Sequence, residues 1–246
     1  MALLTAVGLF CLGTSVVYIV NDLVDAPRDR EHPDKRHTRP IAAGSVSPSQ
    51  AWVILIALEL AILSSLFYAR EVLAVLLCYQ LLNVLYSIKL KHLAIVDLFC
   101  VAGGFVLRVY AGAVAIGVPL SAWMLNTTWC LALYLATIKR RQELRSLGDQ
   151  SRQVLKQYSV ELLDHLSLIA AICAIAFYGL FTLTVRQSLG LTVPLVIAGF
   201  FRYHYIVTRK GGGESPTDVL IHDIPLIVIV LVWVALSVHA LMGGPI

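Results

Sequence analysis

The sequence predicts an all-helical membrane protein that crosses the bilayer several times. Of its 246 residues, 59% are hydrophobic and 14% are charged, whereas soluble domains carry about 25% charged residues. The hydrophobic residues form runs of about 17 to 23, long enough for a helix to cross a hydrocarbon core of about 30 Å. The basic residues concentrate in alternate loops. These observations exclude a soluble globular enzyme and predict an all-α, polytopic transmembrane bundle.

The apolar runs set the order of the helices. We expect about eight spans, at residues 2–20, 51–68, 72–88, 95–117, 121–138, 162–185, 189–208 and 224–241. The first run has no basic segment ahead of it and leads directly into acidic residues, so we expect a spanning helix and not a cleaved signal peptide. No fixed-period repeat or linker divides the chain, which predicts a single integral-membrane domain over residues 1–246.

Loop length and charge alternate together along the chain. The longer loops hold most of the 19 lysines and arginines, and they are 21–50, 89–94, 139–161 and 209–223. The tight turns on the other side hold Arg70 and Arg186. Because basic loops remain in the cytoplasm, we expect a site built by the longer loops to face the cytoplasm from the cell (inner) membrane, with both termini outside.

An acidic motif follows the first span. It comprises Asn21, Asp22, Asp25 and Asp29. If the helix continues past the apolar run, these side chains fall on one arc, because each residue advances by about 100°. Pro27 disfavours a straight helix, so we expect Asp29 in a bent or restarted turn. Carboxylates gathered in this way repel one another unless a cation binds, and Mg²⁺ combines one or two carboxylates with phosphate oxygens. All four residues are therefore predicted to bind Mg²⁺ that carries a diphosphate.

A basic segment follows the acidic motif directly. Lys35, Arg36 and Arg39 lie within five positions, between Pro33 and Pro40, which stiffen the loop. The guanidinium group matches phosphate oxygens with a planar fork, and lysine adds a point charge. An ordinary cytoplasmic loop would also be basic, but a metal site beside a cationic segment is what a Mg²⁺-diphosphate requires. We therefore predict that these three residues bind substrate.

A second polar segment lies between the third and fourth spans. Tyr86 lies at the end of the third span, Lys89 begins the loop, and Asp97 lies near the start of the fourth span. Arg108 follows Asp97 by eleven residues, so both project from one helix face about 16 Å apart, too far for a direct ion pair. Ionisable groups inside a membrane are costly and usually functional. We expect Asp97 and Arg108 to have different partners and to serve the site.

Charged residues end the fifth span. Lys139 and Arg140 either bind substrate phosphate or stop the span at the membrane surface. We count both among the predicted substrate-binding residues.

These segments together resemble the UbiA-type membrane prenyltransferase superfamily. The first acidic motif of that superfamily is similar to Asn21-Asp22-x-x-Asp25-x-x-x-Asp29, and the second to Tyr86-Ser87-x-Lys89 with Asp97. Within the superfamily, the chain is most similar to decaprenyl-phosphate phosphoribosyltransferases. That similarity rests on the segments 32–44, 90–97, 104–112 and 139–144. Members of this group begin with one more helix, so the resemblance implies that this sequence lacks the family's first helix.

The resemblance implies an activity and a set of roles. The reaction would transfer 5-phosphoribose from phosphoribosyl diphosphate to a polyprenyl (decaprenyl) phosphate, with Mg²⁺, in the biosynthesis of cell-wall or lipid-linked sugars. The residues placed closest to the reaction are Asp25, Asp29, Asp97 and Lys89. Asp97 would orient ribose hydroxyls or a second ion, and Lys89 with Arg108 would position the lipid phosphate. The partners are the two substrates and the bilayer, and no nucleic acid is expected.

Three alternatives remain open from the sequence. The first is an aromatic prenyltransferase that uses a polyprenyl diphosphate donor in quinone or haem biosynthesis. Such relatives usually carry a second acid four residues after the first in the second motif, and here that position is Val101. The second is a membrane transporter, although no inverted repeat or broken helix is visible. The third is a non-catalytic homologue that has lost the first helix.

Overall fold

The protein is described here by a computed structural model that covers residues 2–31, 35–147, 153–209, 219 and 221–243. Within these ranges the regular structure is helical and no strand is formed. The chain divides into two compact units, Met1–Pro119 and Leu120–Ile246. The prediction of a single domain over residues 1–246 therefore stays a prediction.

The first unit contains five α-helices among its described residues. They are α1 (Ala2–Asp29), α2 (Lys35–Thr38), α3 (Pro48–Leu63), α4 (Arg70–Ile88) and α5 (Val96–Ala115). Short 3₁₀ helices follow α3 at Ser64–Phe67 and α4 at Leu90–His92.

The second unit contains four α-helices among its described residues. They are α6 (Ala122–Leu147), α7 (Val160–Thr184), α8 (Val193–Arg209) and α9 (Ile224–Leu241). Two 3₁₀ helices, Gln153–Gln157 and Gln187–Thr192, precede α7 and α8.

Seven segments of the described chain are long and apolar enough to cross a membrane. They are α1, α4, α5, α7 and α9, α3 with the turn that follows it, and α8 with the turn that precedes it. Helix α6 covers the predicted span 121–138 and has 26 residues, but it is not among the seven. Its sequence is more polar, with Asn126, Thr127 and Thr128 in its second turn and a charged C-terminal end.

Helix α1 is the central helix of the first unit and packs against α3, α4 and α5. Its apolar face presents Leu9 and Val16 to Leu73 and Leu76 of α4. Gly13 lies between them on α1, where a Cβ atom would come within 2.5 Å of Leu76 Cδ1. The absence of a side chain at Gly13 therefore lets the two helices approach closely.

Two helices end later than predicted, because each continues beyond its apolar run. Helix α1 extends through Pro27 to Asp29, so the expected bent or restarted turn at Asp29 is not seen. Pro27 lacks the backbone donor that would bond the Leu23 carbonyl, and α1 nevertheless continues for two residues beyond it. Helix α6 likewise extends nine residues past the predicted end at 138.

In the second unit, α6 packs along α7, and α8 packs against α9. The rings of Tyr134 on α6 and Tyr203 on α8 meet with centroids 5.8 Å apart. Asp223 begins α9 by accepting the backbone N–H of Leu226 at 3.1 Å. The same carboxylate accepts two hydrogen bonds from Arg202, both of 2.9 Å, which ties the start of α9 to α8.

Candidate active site

The four polar residues of the acidic motif lie on the last turns of α1. Asp22 and Asp29 are buried, with 7% and 4% of their surfaces exposed, whereas Asn21 and Asp25 are half-buried. This gradient follows the helical angles, because Asp22 and Asp29 point in nearly the same direction, and Asp25 and Asn21 are turned progressively away. Continuation of α1 through Pro27 therefore brings the motif onto one face.

Asp22 connects α1 to the segment that follows the basic residues. Its Oδ2 accepts the backbone N–H of Ile41 at 3.2 Å, and Ile41 packs with Ala26 of α1 and Ala51 of α3. The second oxygen, Oδ1, is buried and has no hydrogen-bond partner among the described residues. An unsatisfied buried carboxylate oxygen is costly, and a cation is a suitable partner for it.

Asp25 is paired with a residue outside the predicted set. The ammonium nitrogen of Lys91 lies 2.5 Å from Asp25 Oδ1, and only 13% of the Lys91 side chain and 26% of the Asp25 side chain are exposed. Lys91 belongs to the 3₁₀ turn between α4 and α5. Lys91 follows Lys89 by two positions, and no spacing rule distinguishes which of these two lysines turns toward an acid 66 residues earlier.

Asp29 is approached by one of the predicted phosphate-binding residues. Arg39 Nε lies 3.9 Å from Asp29 Oδ2, and the arginine side chain is 37% exposed. Arg36 donates from Nε to His37 Nε2 at 2.8 Å on the exposed side of the segment. The side chain of Lys35 lies outside the described residues. The structure therefore brings Arg39 to the acidic motif.

Asp97 is fully buried at the start of α5. The residue two positions earlier, Ile95, has a φ of +69°, which is strained for a β-branched side chain. This conformation turns the chain from the Leu90–His92 turn into α5, where the Asp97 N–H donates to the Leu93 carbonyl at 3.0 Å. Because Lys91 of this same connection contacts Asp25, Asp97 lies at the end of the first unit that carries the acidic motif.

Tyr86 and Lys89 lie at the C-terminal end of α4, the end that leads into this connection. Tyr86 is half-buried and Lys89 is exposed. Their predicted contacts with substrate remain predictions.

Arg108 lies much deeper along α5. Its Nη2 donates to the Tyr79 hydroxyl at 2.5 Å, and the guanidinium lies 4.7 Å from the centroid of the Tyr79 ring. Tyr79 precedes Lys89 by ten residues on α4, which is a rise of about 15 Å. The structure thus pairs Arg108 with Tyr79, and the predicted contact of Arg108 and Lys89 with one lipid phosphate stays a prediction.

Lys139 and Arg140 belong to the second unit. Lys139 is exposed. Arg140 is buried and donates from Nη1 to Glu143 Oε2 at 2.7 Å, one turn along α6. Their neighbour Arg141 is paired with Asp164 of α7. These ion pairs lie beyond the apolar run of α6, where they satisfy the charges at its C-terminal end. The predicted phosphate contact of Lys139 and Arg140 stays a prediction.

The donor atoms of the acidic motif suit Mg²⁺, although they do not form a closed cage. Among the described residues, no group of three or more His, Cys, Asp or Glu side chains stands close enough to hold a metal ion. The unpartnered oxygen of Asp22 and the half-buried carboxylate of Asp25 are nevertheless hard ligands of the kind Mg²⁺ takes. Since Mg²⁺ completes its shell with phosphate oxygens and water, these residues fit an ion that arrives with a diphosphate.

Comparison with known proteins places this geometry in a family. Residues 1–222 match the UbiA prenyltransferase family. A decaprenyl-phosphate phosphoribosyltransferase of Corynebacterium glutamicum is 34% identical over 250 residues, covering 96% of this chain and 74% of the relative. A decaprenyl-phosphate phosphoribosyltransferase of Mycolicibacterium smegmatis is 31% identical over 241 residues, covering 92% of this chain and 76% of the relative.

A solved structure shares the fold. The UbiA homolog from Archaeoglobus fulgidus bound to DMAPP and Mg²⁺ superposes with a TM-score of 0.73. The match covers 97% of this chain and 87% of that one, at 20% identity. The helical order of this chain is therefore that of a known membrane protein fold.

Proposed function

We propose that this chain, which belongs to the UbiA prenyltransferase family, transfers 5-phosphoribose from phosphoribosyl diphosphate to a polyprenyl phosphate. Family membership makes it a polytopic membrane transferase, which leaves the transporter alternative without support. The observation that carries the choice of substrates is the identity of 34% and 31%, over more than nine-tenths of the chain, to relatives named decaprenyl-phosphate phosphoribosyltransferase. We further propose that the site opens to the cytoplasm from the cell membrane, as the basic loops predict.

The charges at the end of α1 support a donor that carries a diphosphate. Asp22, Asp25 and Asp29 supply carboxylates, while Lys91 and Arg39 stand beside two of them. In our proposal the acids and Asn21 hold Mg²⁺, which when bound neutralises the diphosphate and makes it a better leaving group. Arg39, with Arg36 and Lys35 of the same segment, stabilises the negative charge that grows on the departing diphosphate.

The acceptor needs little chemical activation. A polyprenyl phosphate is already anionic, so its oxygen can attack the anomeric carbon of ribose without a general base. The new carbon–oxygen bond to the lipid phosphate forms as the bond to the diphosphate breaks, and the diphosphate leaves with the electron pair. Asp97 is proposed to orient the ribose hydroxyls, and exposed Lys89 to position the lipid phosphate. Arg108, which donates to Tyr79 deeper along α5, stays a predicted contact of the same phosphate.

A transfer assay tests the proposal directly. Purified protein in lipid nanodiscs would receive phosphoribosyl diphosphate labelled in the ribose, together with decaprenyl phosphate, with Mg²⁺ or with a chelator. We expect label in the lipid fraction only when Mg²⁺ and the lipid phosphate are both present. A folded protein that labels no lipid under these conditions would overturn the proposal.

An aromatic prenyltransferase is the second candidate, because the structural relative was solved with DMAPP and Mg²⁺. The same preparation offered a labelled polyprenyl diphosphate and an aromatic acid would show prenylated product if this alternative holds. Val101, where such relatives usually carry an acid, argues against that outcome. Competition between the two donors in one assay distinguishes the candidates.

A further inference from the structure

We propose that Lys91 competes with the divalent metal for Asp25, so that the metal binds this carboxylate tightly only together with the diphosphate. The inference rests on the proposed function in one respect, that the donor carries a diphosphate. It concerns a lysine that motif spacing did not single out, and it makes Lys91 a positioning residue that controls when the metal site forms.

The contact between Lys91 and Asp25 is strong. Lys91 Nζ and Asp25 Oδ1 are 2.5 Å apart, and both side chains are mostly shielded from solvent. Charged hydrogen bonds of this kind are stronger than neutral ones, and shielding reduces their screening by salt. The pair therefore holds Asp25 more firmly than the 3.9 Å approach of Arg39 holds Asp29.

The ammonium group of Lys91 and the metal cannot share Asp25 Oδ1 without repulsion. Mg²⁺ binds carboxylate oxygen at about 2.0–2.1 Å. A lysine nitrogen 2.5 Å from that oxygen would place a single positive charge beside a double one. Metal binding through Oδ1 therefore requires Lys91 to move away, and metal binding through Oδ2 would leave the ammonium group and the metal on the two oxygens of one carboxylate, where their charges still repel. In both cases the metal binds better once Lys91 has a new anionic partner.

The diphosphate supplies the new anionic partner for Lys91. Lysine is a flexible point charge with three donors and binds phosphate oxygens without a fixed orientation. Lys91 also lies at the end of the first unit that holds the acidic motif, on the turn leading to buried Asp97. When the metal takes Asp25 and the diphosphate takes Lys91, each charge exchanges one partner for another. Binding of the two ligands is then coupled, and the coupling is reciprocal.

The test measures two affinities whose predicted changes have opposite signs. Mn²⁺ alone is titrated against protein in nanodiscs by electron paramagnetic resonance, without any phosphate compound. The preformed Mg²⁺–phosphoribosyl diphosphate complex is titrated separately by calorimetry at saturating Mg²⁺. For Lys91→Met we expect Mn²⁺ alone to bind about tenfold more tightly, as loss of one charged hydrogen bond predicts. We expect the preformed complex to bind at least several-fold more weakly.

Two control variants make the result specific. Lys89→Met removes the exposed lysine two positions earlier and should leave the affinity for Mn²⁺ alone unchanged. Lys91→Arg keeps the cation beside Asp25 and should also keep the affinity for Mn²⁺ alone at the wild-type level. A Lys91→Met variant that binds Mn²⁺ alone no more tightly than wild type, with unchanged thermal unfolding, would overturn the inference.

The titration with Mn²⁺ alone tests the competition independently of the proposed function, because it involves neither ribose nor transfer. Active transfer together with unchanged Mn²⁺ affinity in Lys91→Met would reject the competition alone. Tighter Mn²⁺ binding in that variant, together with a wild-type protein that transfers no phosphoribose, would reject the proposed function and leave the competition standing.

Discussion

At the residue scale, three carboxylates on one helix face have three different neighbours, one backbone donor and two cations. Asp22 accepts a backbone N–H from Ile41, Asp25 is paired with Lys91, and Asp29 is approached by Arg39. These neighbours come from separate segments that converge on the last turns of α1. The arrangement spreads positive charge around the acids, so that a metal and a diphosphate can each find a partner of opposite sign.

Arg39→Ala tests whether the arginine beside Asp29 binds the donor. We expect the KM for phosphoribosyl diphosphate to rise about tenfold, because a charged hydrogen bond to phosphate is lost. Thermal stability should change little, since an ion pair of 3.9 Å with a partly exposed arginine contributes at most about 1 kcal/mol. Arg39→Lys should be intermediate, because lysine retains the charge without the planar fork.

Arg28→Ala is the matched control for this measurement, since Arg28 is an exposed arginine beside the motif to which we assign no role. Steady-state kinetics with varied donor concentration provides the readout. An unchanged KM in Arg39→Ala would remove this residue from the substrate site.

The acids of the site were predictable from sequence, and most of their partners were not. Spacing along a helix places Asn21, Asp22, Asp25 and Asp29 on one arc, because helical periodicity is a local property. The contact between Lys91 and Asp25 joins residues 66 positions apart, and such a pairing depends on how the α4–α5 connection packs. The hydrogen bond from the Ile41 backbone to Asp22 could not be predicted either. Almost every residue type has a backbone N–H, so the sequence does not indicate which one donates.

At the element scale, the close packing of α1 on α4 holds the acidic helix in place. Leu76 is fully buried against α1, and Gly13 provides the space for it. The α3, α4 and α5 helices all pack on α1. A change that pushes α1 away from α4 should therefore disturb both the core and the site at the end of the helix.

Gly13→Ala is predicted to destabilise the protein, because the added Cβ would stand 2.5 Å from Leu76 Cδ1. Overpacking of a dense core costs about 1–3 kcal/mol, and alanine returns about 1 kcal/mol of helix propensity, so the net loss is about 0–2 kcal/mol. The measurement is the thermal unfolding temperature in detergent.

Gly8→Ala is the control on the same helix, since nothing lies within 4 Å of a Cβ atom there. It should leave the unfolding temperature unchanged or raise it slightly. Equal unfolding temperatures for Gly8→Ala and Gly13→Ala would contradict the close approach of α1 and α4.

Element boundaries show why apolar runs locate helices better than they locate helix ends. The last predicted span, 224–241, coincides with α9, where Asp223 provides an N-terminal cap. Helices α1 and α6 instead run beyond their apolar residues, because polar groups beyond the runs find partners such as Lys91 for Asp25 and Asp164 for Arg141. The hydropathy of the sequence indicates where a helix leaves the membrane, but it does not indicate these tertiary contacts.

At the scale of the whole molecule, the exposed apolar surface requires a lipid environment. Large hydrophobic side chains such as Phe67, Ile224, Leu4 and Phe201 have between 71% and 89% of their surfaces exposed. Soluble monomers rarely present such a surface widely. Composition predicted a membrane protein, and only helices and closed barrels satisfy backbone hydrogen bonds in lipid. The length of the apolar runs then predicted helices.

The central claim is that the carboxylates at the end of α1 bind a divalent metal that holds a phosphorylated sugar donor. Asp25→Asn tests it most directly, because asparagine keeps the size of the side chain and removes its charge. The measurement is Mg²⁺-dependent transfer of labelled phosphoribose to decaprenyl phosphate, with calorimetric binding of the Mg²⁺–donor complex on the same preparations. We predict that Asp25→Asn lowers transfer by at least about a hundredfold, as loss of a charged group that acts on the leaving group implies, and weakens binding of the complex. Wild-type transfer and wild-type binding in a folded Asp25→Asn protein would contradict the account.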